Sequence, residues 1–221
     1  MDGTGRLYSR LVQALPEDWR TIVLDYPADA IVGYEELLQR VSSIAWERRP
    51  FLLVAESYST PLAISFAATH PEHLKGVVLC AGFASSPLVG WRKLVARLIS
   101  PVLFCLSLSD WALRWFLIGE AAEPALMEEV RDAIASVQPS VLAARLRDIL
   151  DCDACEDLRE IDVPMLYLQA AHDQLVRDTN LAMMRRYRED LIVQRIDGPH
   201  LLFQREPEQA ARAIETFVRN L

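Results

Sequence analysis

Ser57, Asp173 and His200 are the three residues whose types and order could together run nucleophilic chemistry on a carbonyl carbon. A serine hydroxyl attacks poorly until a base takes its proton. An imidazole does this best when a carboxylate fixes its tautomer and stabilises its cation. Taken singly, each residue has a plainer reading: Ser57 and Asp173 could cap helices, and His200 could be a surface-loop histidine. The chain order Ser, Asp, His on three strand-ending turns is what joins them into one expectation. Of the four histidines, His70 and His73 flank Pro71 in a loop expected at the amino end of the next strand, away from the other two groups. His172 sits beside Asp173, and His200 follows the last strand in Gly198-Pro199-His200.

The elements that must position these groups follow from the apolar pattern. Short runs rich in Val, Ile and Leu, bounded by turn residues, predict buried parallel strands at Thr21–Tyr26, Phe51–Glu56, Gly76–Ala81, Met165–Gln169 and Leu191–Ile196. Helical patterns fall at Arg6–Leu15, Glu35–Trp46, Tyr58–Thr69, Asn180–Arg188 and Glu206–Asn220. This alternation predicts an α/β fold, a mostly parallel sheet flanked by helices, with its chemistry beyond the carboxyl ends of the strands. Asp173 precedes His200 by 27 residues, one helix and one strand, so their turns should be neighbours.

Ser57 stands where a strand runs directly into a helix. Such a turn strains its central residue and needs small neighbours two positions away on each side, here Ala55 and Ser59. Pro61 suits a first helical turn, and the helix start puts backbone donors and positive dipole beside the serine. Residues 83–150 exceed what a crossover needs; prolines divide them into expected helices such as Glu123–Gln138 and Ser140–Leu150. This predicts a helical lid inserted into a core of residues 1–82 and 151–221. Its Trp91, Phe104, Trp111, Trp115 and Phe116 could form a core for the lid or a wall for an acyl group.

A net charge of −8, from 23 basic and 31 acidic side chains, argues against a nucleic-acid partner. The N-terminus lacks a signal-peptide pattern, and the most apolar stretch, Leu98–Leu108, is too short to span a bilayer. Four sparse cysteines suggest a reducing compartment, so the expected location is cytoplasmic, with no stable membrane insertion. Cys152-Asp-Ala-Cys155 could be a redox pair or half a zinc site, but no second such pair completes four ligands. No metal is expected.

Read together, Ala55-Glu56-Ser57-Tyr58-Ser59-Thr60-Pro61, the turn Val163 to Val176, and Gly198-Pro199-His200 with Pro207-Glu208 resemble the α/β-hydrolase superfamily. The resemblance implies hydrolysis of a small-molecule ester or thioester through an acyl-serine, without a cofactor. It also implies an oxyanion hole made by the Tyr58 N–H and one donor from the Met1–Asp2 loop, because Met1-Asp2-Gly3-Thr4-Gly5 looks like the end of the family's oxyanion loop. Other outcomes compatible with the sequence are a catalytically impaired binding protein and an acyltransferase using the same triad.

In that superfamily a strand precedes the oxyanion loop and lies between the strands matching Thr21–Tyr26 and Phe51–Glu56. This chain opens inside the loop, so the fold is expected to be N-terminally shortened, Met1 to be an internal methionine, and the 221-residue chain to be poorly soluble and weakly active. The slot would stay open or accept a strand from a partner, making a homodimer one expected assembly; the alternative is direct pairing of the two flanking strands. The cysteine reading has its own test. A Cys152→Ala/Cys155→Ala variant should keep wild-type activity, and metal analysis should find no stoichiometric zinc; one zinc per chain would overturn it.

Overall fold

Four parallel strands in the order β1-β2-β3-β4 form one sheet in the computed structural model, which describes residues 1–44, 49–88, 90–98, 101–105 and 109–221. The chain opens with a 3₁₀ turn at Arg6–Tyr8, then α1 (Ser9–Ala14), α2 (Tyr34–Ser43), β1 (Phe51–Glu56), α3 (Ser59–Ala67) and β2 (Leu74–Cys80). Helical pieces follow: α4 (Trp91–Arg97), a 3₁₀ segment Pro101–Cys105, α5 (Asp110–Leu113), a π turn Arg114–Ile118, α6 (Pro124–Ala135), α7 (Pro139–Asp151) and α8 (Asp157–Glu160). The chain closes with β3 (Met165–Ala170), α9 (Asp178–Tyr187), β4 (Ile192–Ile196), α10 (Leu202–Arg205) and α11 (Pro207–Val218). The expected end of the second helix, at Trp46, lies outside the described residues.

The two central strands show why a near-continuous apolar run folds this way. Successive side chains of a strand point to opposite faces. Val77, Leu79, Met165 and Tyr167 pack on the face covered by α3, α8 and α9. Val78, Cys80, Leu166 and Leu168 pack on the opposite face, beneath α1, α10 and α11. Burying each aliphatic side chain of this kind contributes about 1.5–3 kcal/mol. Proline opens α6, α7 and α11, where its missing N–H costs nothing.

One expected strand does not form. Thr21–Tyr26 has no regular secondary structure and belongs to no ladder, and its Tyr26 N–H donates to the Gly3 carbonyl at 2.7 Å. Its Ile22 and Leu24 and the β1 residues Leu52 and Val54 line one shared cavity of about 1040 Å³. An apolar, β-branched run is a strand signal in sequence, yet a strand needs a backbone edge within reach. Among the described residues none pairs with the outer edge of β1, so the flanking segments have not closed directly on each other.

Beyond β2 the backbone passes very close to α3. Ala81 has a positive φ of 44°, and Gly82 exchanges two hydrogen bonds with the Tyr167 hydroxyl, at 3.1 and 2.8 Å. A Cβ on Gly82 would lie 2.5 Å from the Thr60 methyl carbon and 2.8 Å from its hydroxyl. Thr60 is fully buried and cannot retreat without losing its bonds to Ser57 and Phe83. Gly82→Ala should therefore destabilise the protein by about 1–3 kcal/mol in urea unfolding. An unchanged midpoint would show that the contact is slack.

Candidate active site

Ser57 occupies the turn between β1 and α3 with φ at +53°, a left-handed conformation that costs a non-glycine residue energy. Its N–H donates to the Cys80 carbonyl at 2.9 Å, and its carbonyl accepts from the Thr60 hydroxyl at 2.7 Å. The hydroxyl does not cap α3 but turns to His200, with Oγ 2.8 Å from Nε2. On the far side of the ring Nδ1 lies 2.8 Å from Asp173 Oδ2, and both side chains are almost fully buried. An ionised carboxylate only accepts, so Nδ1 carries the proton; in the neutral ring Nε2 then accepts from the Ser57 hydroxyl. The second Asp173 oxygen is held by the N–H groups of Leu175 and Val176, both at 2.8 Å. The acid therefore has little freedom to rotate away.

The remaining histidines lie elsewhere. His70 pairs with Asp162 at 2.8 Å, His73 lies 4.0 Å from Glu72, and the exposed His172 bridges to Asp197 at 2.7 Å. His172 N–H also donates to the Gly198 carbonyl at 2.9 Å, stapling the acid turn to the histidine turn.

Ala55 and Ser59 are the small neighbours of Ser57. A serine at the second place has a partner here, because its hydroxyl accepts from the Tyr26 hydroxyl at 2.9 Å. Met1 and Asp2 line the same cavity as Ser57, Tyr58 and His200. The Asp2 carboxylate closes a tight turn by accepting from the Thr4 N–H and hydroxyl at 2.9 and 2.7 Å. Phe104 and Phe116 also face the cavity, whereas Trp91, Trp111 and Trp115 are largely exposed. Burial pushes the Cys152 thiol up to about 12 and the Cys155 thiol up to about 11, so both stay protonated at neutral pH.

A model of the family described as serine aminopeptidase, S33, matches residues 22–198. The chain belongs to this family. Its fold is that of the α/β hydrolases, and the protein is a hydrolase of that type. It is 22% identical over 227 residues to a pyrrolizixenacetamide deacetylase from Xenorhabdus hominickii, covering 96% of this chain and 85% of that one. Among solved structures it is similar to a hydrolase from Oleispira antarctica, with a TM-score of 0.83 and 14% identity over 100% of this chain and 89% of the other. It is also similar to an enol-lactonase from Burkholderia xenovorans LB400, with a TM-score of 0.79 and 18% identity over 99% and 88% of the two chains.

Sequence reasoning passes over the part played by Glu56. Its buried carboxylate accepts from the Gln204 amide at 2.9 Å and from the Phe203 N–H at 3.2 Å. Its own N–H donates to the Tyr8 hydroxyl at 3.1 Å. One side chain thus ties the turn holding Ser57 to α10, which begins just after His200. Burial pushes the Glu56 carboxyl up, while the two bonds pull the other way. Nothing local in the sequence announces this, since both partners lie far along the chain. Glu56→Ala removes the acceptor of the buried Gln204 amide, the Phe203 N–H and the Cys80 thiol, the last at 3.8 Å, and should cost about 2–4 kcal/mol in chemical unfolding. Because the folded pKa is raised, the carboxyl's contribution is complete below the ordinary glutamate value and declines as pH rises through the folded value. The stability of wild type relative to Glu56→Gln should therefore fall as pH is raised from the ordinary glutamate range through the folded value; a rise would refute this.

Proposed function

We propose that the protein hydrolyses carboxylic esters or thioesters of a moderately apolar acyl group through an acyl-serine intermediate. The observation that carries this reading is the unbroken hydrogen-bonded chain Ser57–His200–Asp173, whose hydroxyl end opens into a largely apolar cavity. In the proposed reaction Ser57 Oγ attacks the acyl carbonyl carbon while its proton passes to His200 Nε2. Asp173 stabilises the resulting imidazolium. The carbonyl oxygen, now an anion, accepts from the Tyr58 N–H and from a donor of the Met1–Asp2 loop. Collapse of the tetrahedral adduct breaks the bond to the alcohol or thiol, which leaves with the proton from His200. Water then attacks the acyl-serine, gives its proton to His200, and the acid departs as that proton returns to Ser57.

In this reading the helical segment of residues 83–150 is a lid whose inward Phe104 and Phe116 contact the acyl group. A cytoplasmic location belongs to the same reading; no described helix is long and apolar enough to cross a membrane. Because one relative is named for deacetylation of an acetamide, the substrate panel should include an acetamide beside nitrophenyl esters of graded length.

Ser57→Ala should lower turnover of the best ester by about 10⁴- to 10⁶-fold and abolish labelling by a fluorophosphonate, with the thermal midpoint little changed. An alanine variant that keeps most of its activity would make Ser57 a structural residue. A wild-type protein that resists the probe would favour the binding-protein alternative.

A further inference from the structure

Helix α7 belongs to the inserted segment, yet it reaches the two places where the proposed oxyanion donors sit. Arg145 and Asp148 stand three residues apart and so share one stripe of its surface. Arg145, only 2% exposed, donates through Nη1 to the carbonyl oxygens of Met1 and Asp2, at 3.0 and 2.5 Å, and through Nη2 to the Pro27 carbonyl at 2.8 Å. Its guanidinium also lies 5.8 Å from the centre of the Tyr26 ring. The Asp148 carboxylate accepts from the Tyr58 hydroxyl at 2.9 Å. Tyr58 is further fixed by the Tyr34 ring, stacked at 4.8 Å, and by the Tyr34 hydroxyl, which donates to the Tyr58 carbonyl at 2.7 Å.

A buried cation needs partners that repay its lost hydration. Backbone carbonyls, two of them from the Met1–Asp2 loop and the third from Pro27, are costly partners when stability alone is at stake, since an apolar side chain would fill the space without burying a charge. The consequence of the arrangement is directional. In a trans peptide the N–H points opposite to the C=O. Holding the Met1 carbonyl on Arg145 therefore fixes the orientation of the Asp2 N–H in the same peptide unit. Likewise, burial and the Asp148 carboxylate push the Tyr58 phenol well above its ordinary value, so it stays a donor and keeps its side chain anchored.

We infer that Arg145 and Asp148 are positioning residues through which α7 sets both halves of the oxyanion hole, so that the inserted segment tunes acyl transfer itself as well as access to it. This rests on the triad reading above and goes beyond it by assigning a role to a helix outside the sheet core. Loss of a whole oxyanion donor costs about 10²- to 10³-fold in rate, so a loosened donor should cost less.

The test compares Tyr58→Phe, Asp148→Ala, Asp148→Asn, the double variant Tyr58→Phe/Asp148→Ala, and Arg145→Met. For each variant, kcat and KM on one nitrophenyl ester are measured, together with inhibition by a trifluoromethyl ketone, whose serine adduct carries an oxyanion. We expect kcat to fall about 10- to 100-fold for Arg145→Met and about 10-fold for Tyr58→Phe and for Asp148→Ala, with KM changed less than about threefold. Ketone affinity should fall in step with kcat. The double variant should be no worse than either single, because both remove the same bond, and Asp148→Asn should recover most of the loss. Should Arg145→Met fail to fold, Tyr58→Phe, which keeps the backbone donor, decides the outcome. A lowered thermal midpoint with unchanged kcat and ketone affinity would reduce both residues to structural supports and overturn the inference. A wild-type protein that neither hydrolyses esters nor labels with a fluorophosphonate would instead sink the triad reading, and this inference with it.

Discussion

A left-handed backbone at Ser57 is the constraint around which the rest of this molecule is arranged. A φ of +53° is unfavourable for serine, so the surroundings must hold it in place. They do so from three directions: the ladder of β1 against β2 continues into the Ser57–Cys80 bond, Thr60 at the start of α3 grips the Ser57 carbonyl, and Gly82 lets the next strand end pass within touching distance of Thr60. The strain has a geometric return. It lifts the hydroxyl off the path of both strand and helix and leaves it free to meet a residue 143 positions further along the chain.

Holding that distant residue is the work of polar groups buried inside an otherwise apolar body. Asp173 orients the imidazole, and Glu56, next to Ser57 itself, anchors the short helix that follows His200. Buried charges of this kind contribute little net stability, but they define one geometry, because any displacement leaves a donor or acceptor without a partner. The same logic applies at Arg145, whose three carbonyl partners belong to segments near the start of the chain. The site is therefore gathered from both ends of the chain and from α7, and the sheet supplies only the floor.

Residues between β2 and β3 also shape the space above that floor. Leu142, Leu146 and Ile149 of α7 line the cavity, as do Phe104 and Phe116, while the tryptophans nearby point outward. Aromatic residues in one segment thus divide into two populations, the phenylalanines lining the cavity and the tryptophans exposed. Their presence alone could not separate a wall for substrate from a core for the lid.

Amino-acid order by itself determined the alternating architecture, the turn on which Ser57 sits, and the pairing of His200 with Asp173. Each of these follows from local signals: short apolar runs bounded by turn residues, a strand entering a helix through small residues, and polar residues just beyond strand ends. The departure from glycine at Ser59 weakens the motif as a sequence signal, and only the fold supplied the Tyr26 hydroxyl that makes use of it. Thr21–Tyr26 shows the opposite limit, since composition marked it as a strand while pairing depends on a neighbouring edge that no local pattern encodes. Glu56, Arg145 and Asp148 were invisible for a related reason. A charge in a strand or helix reads as a solvated group until tertiary packing buries it, and only the three-dimensional fold decided which distant carbonyl, amide or hydroxyl would meet it there.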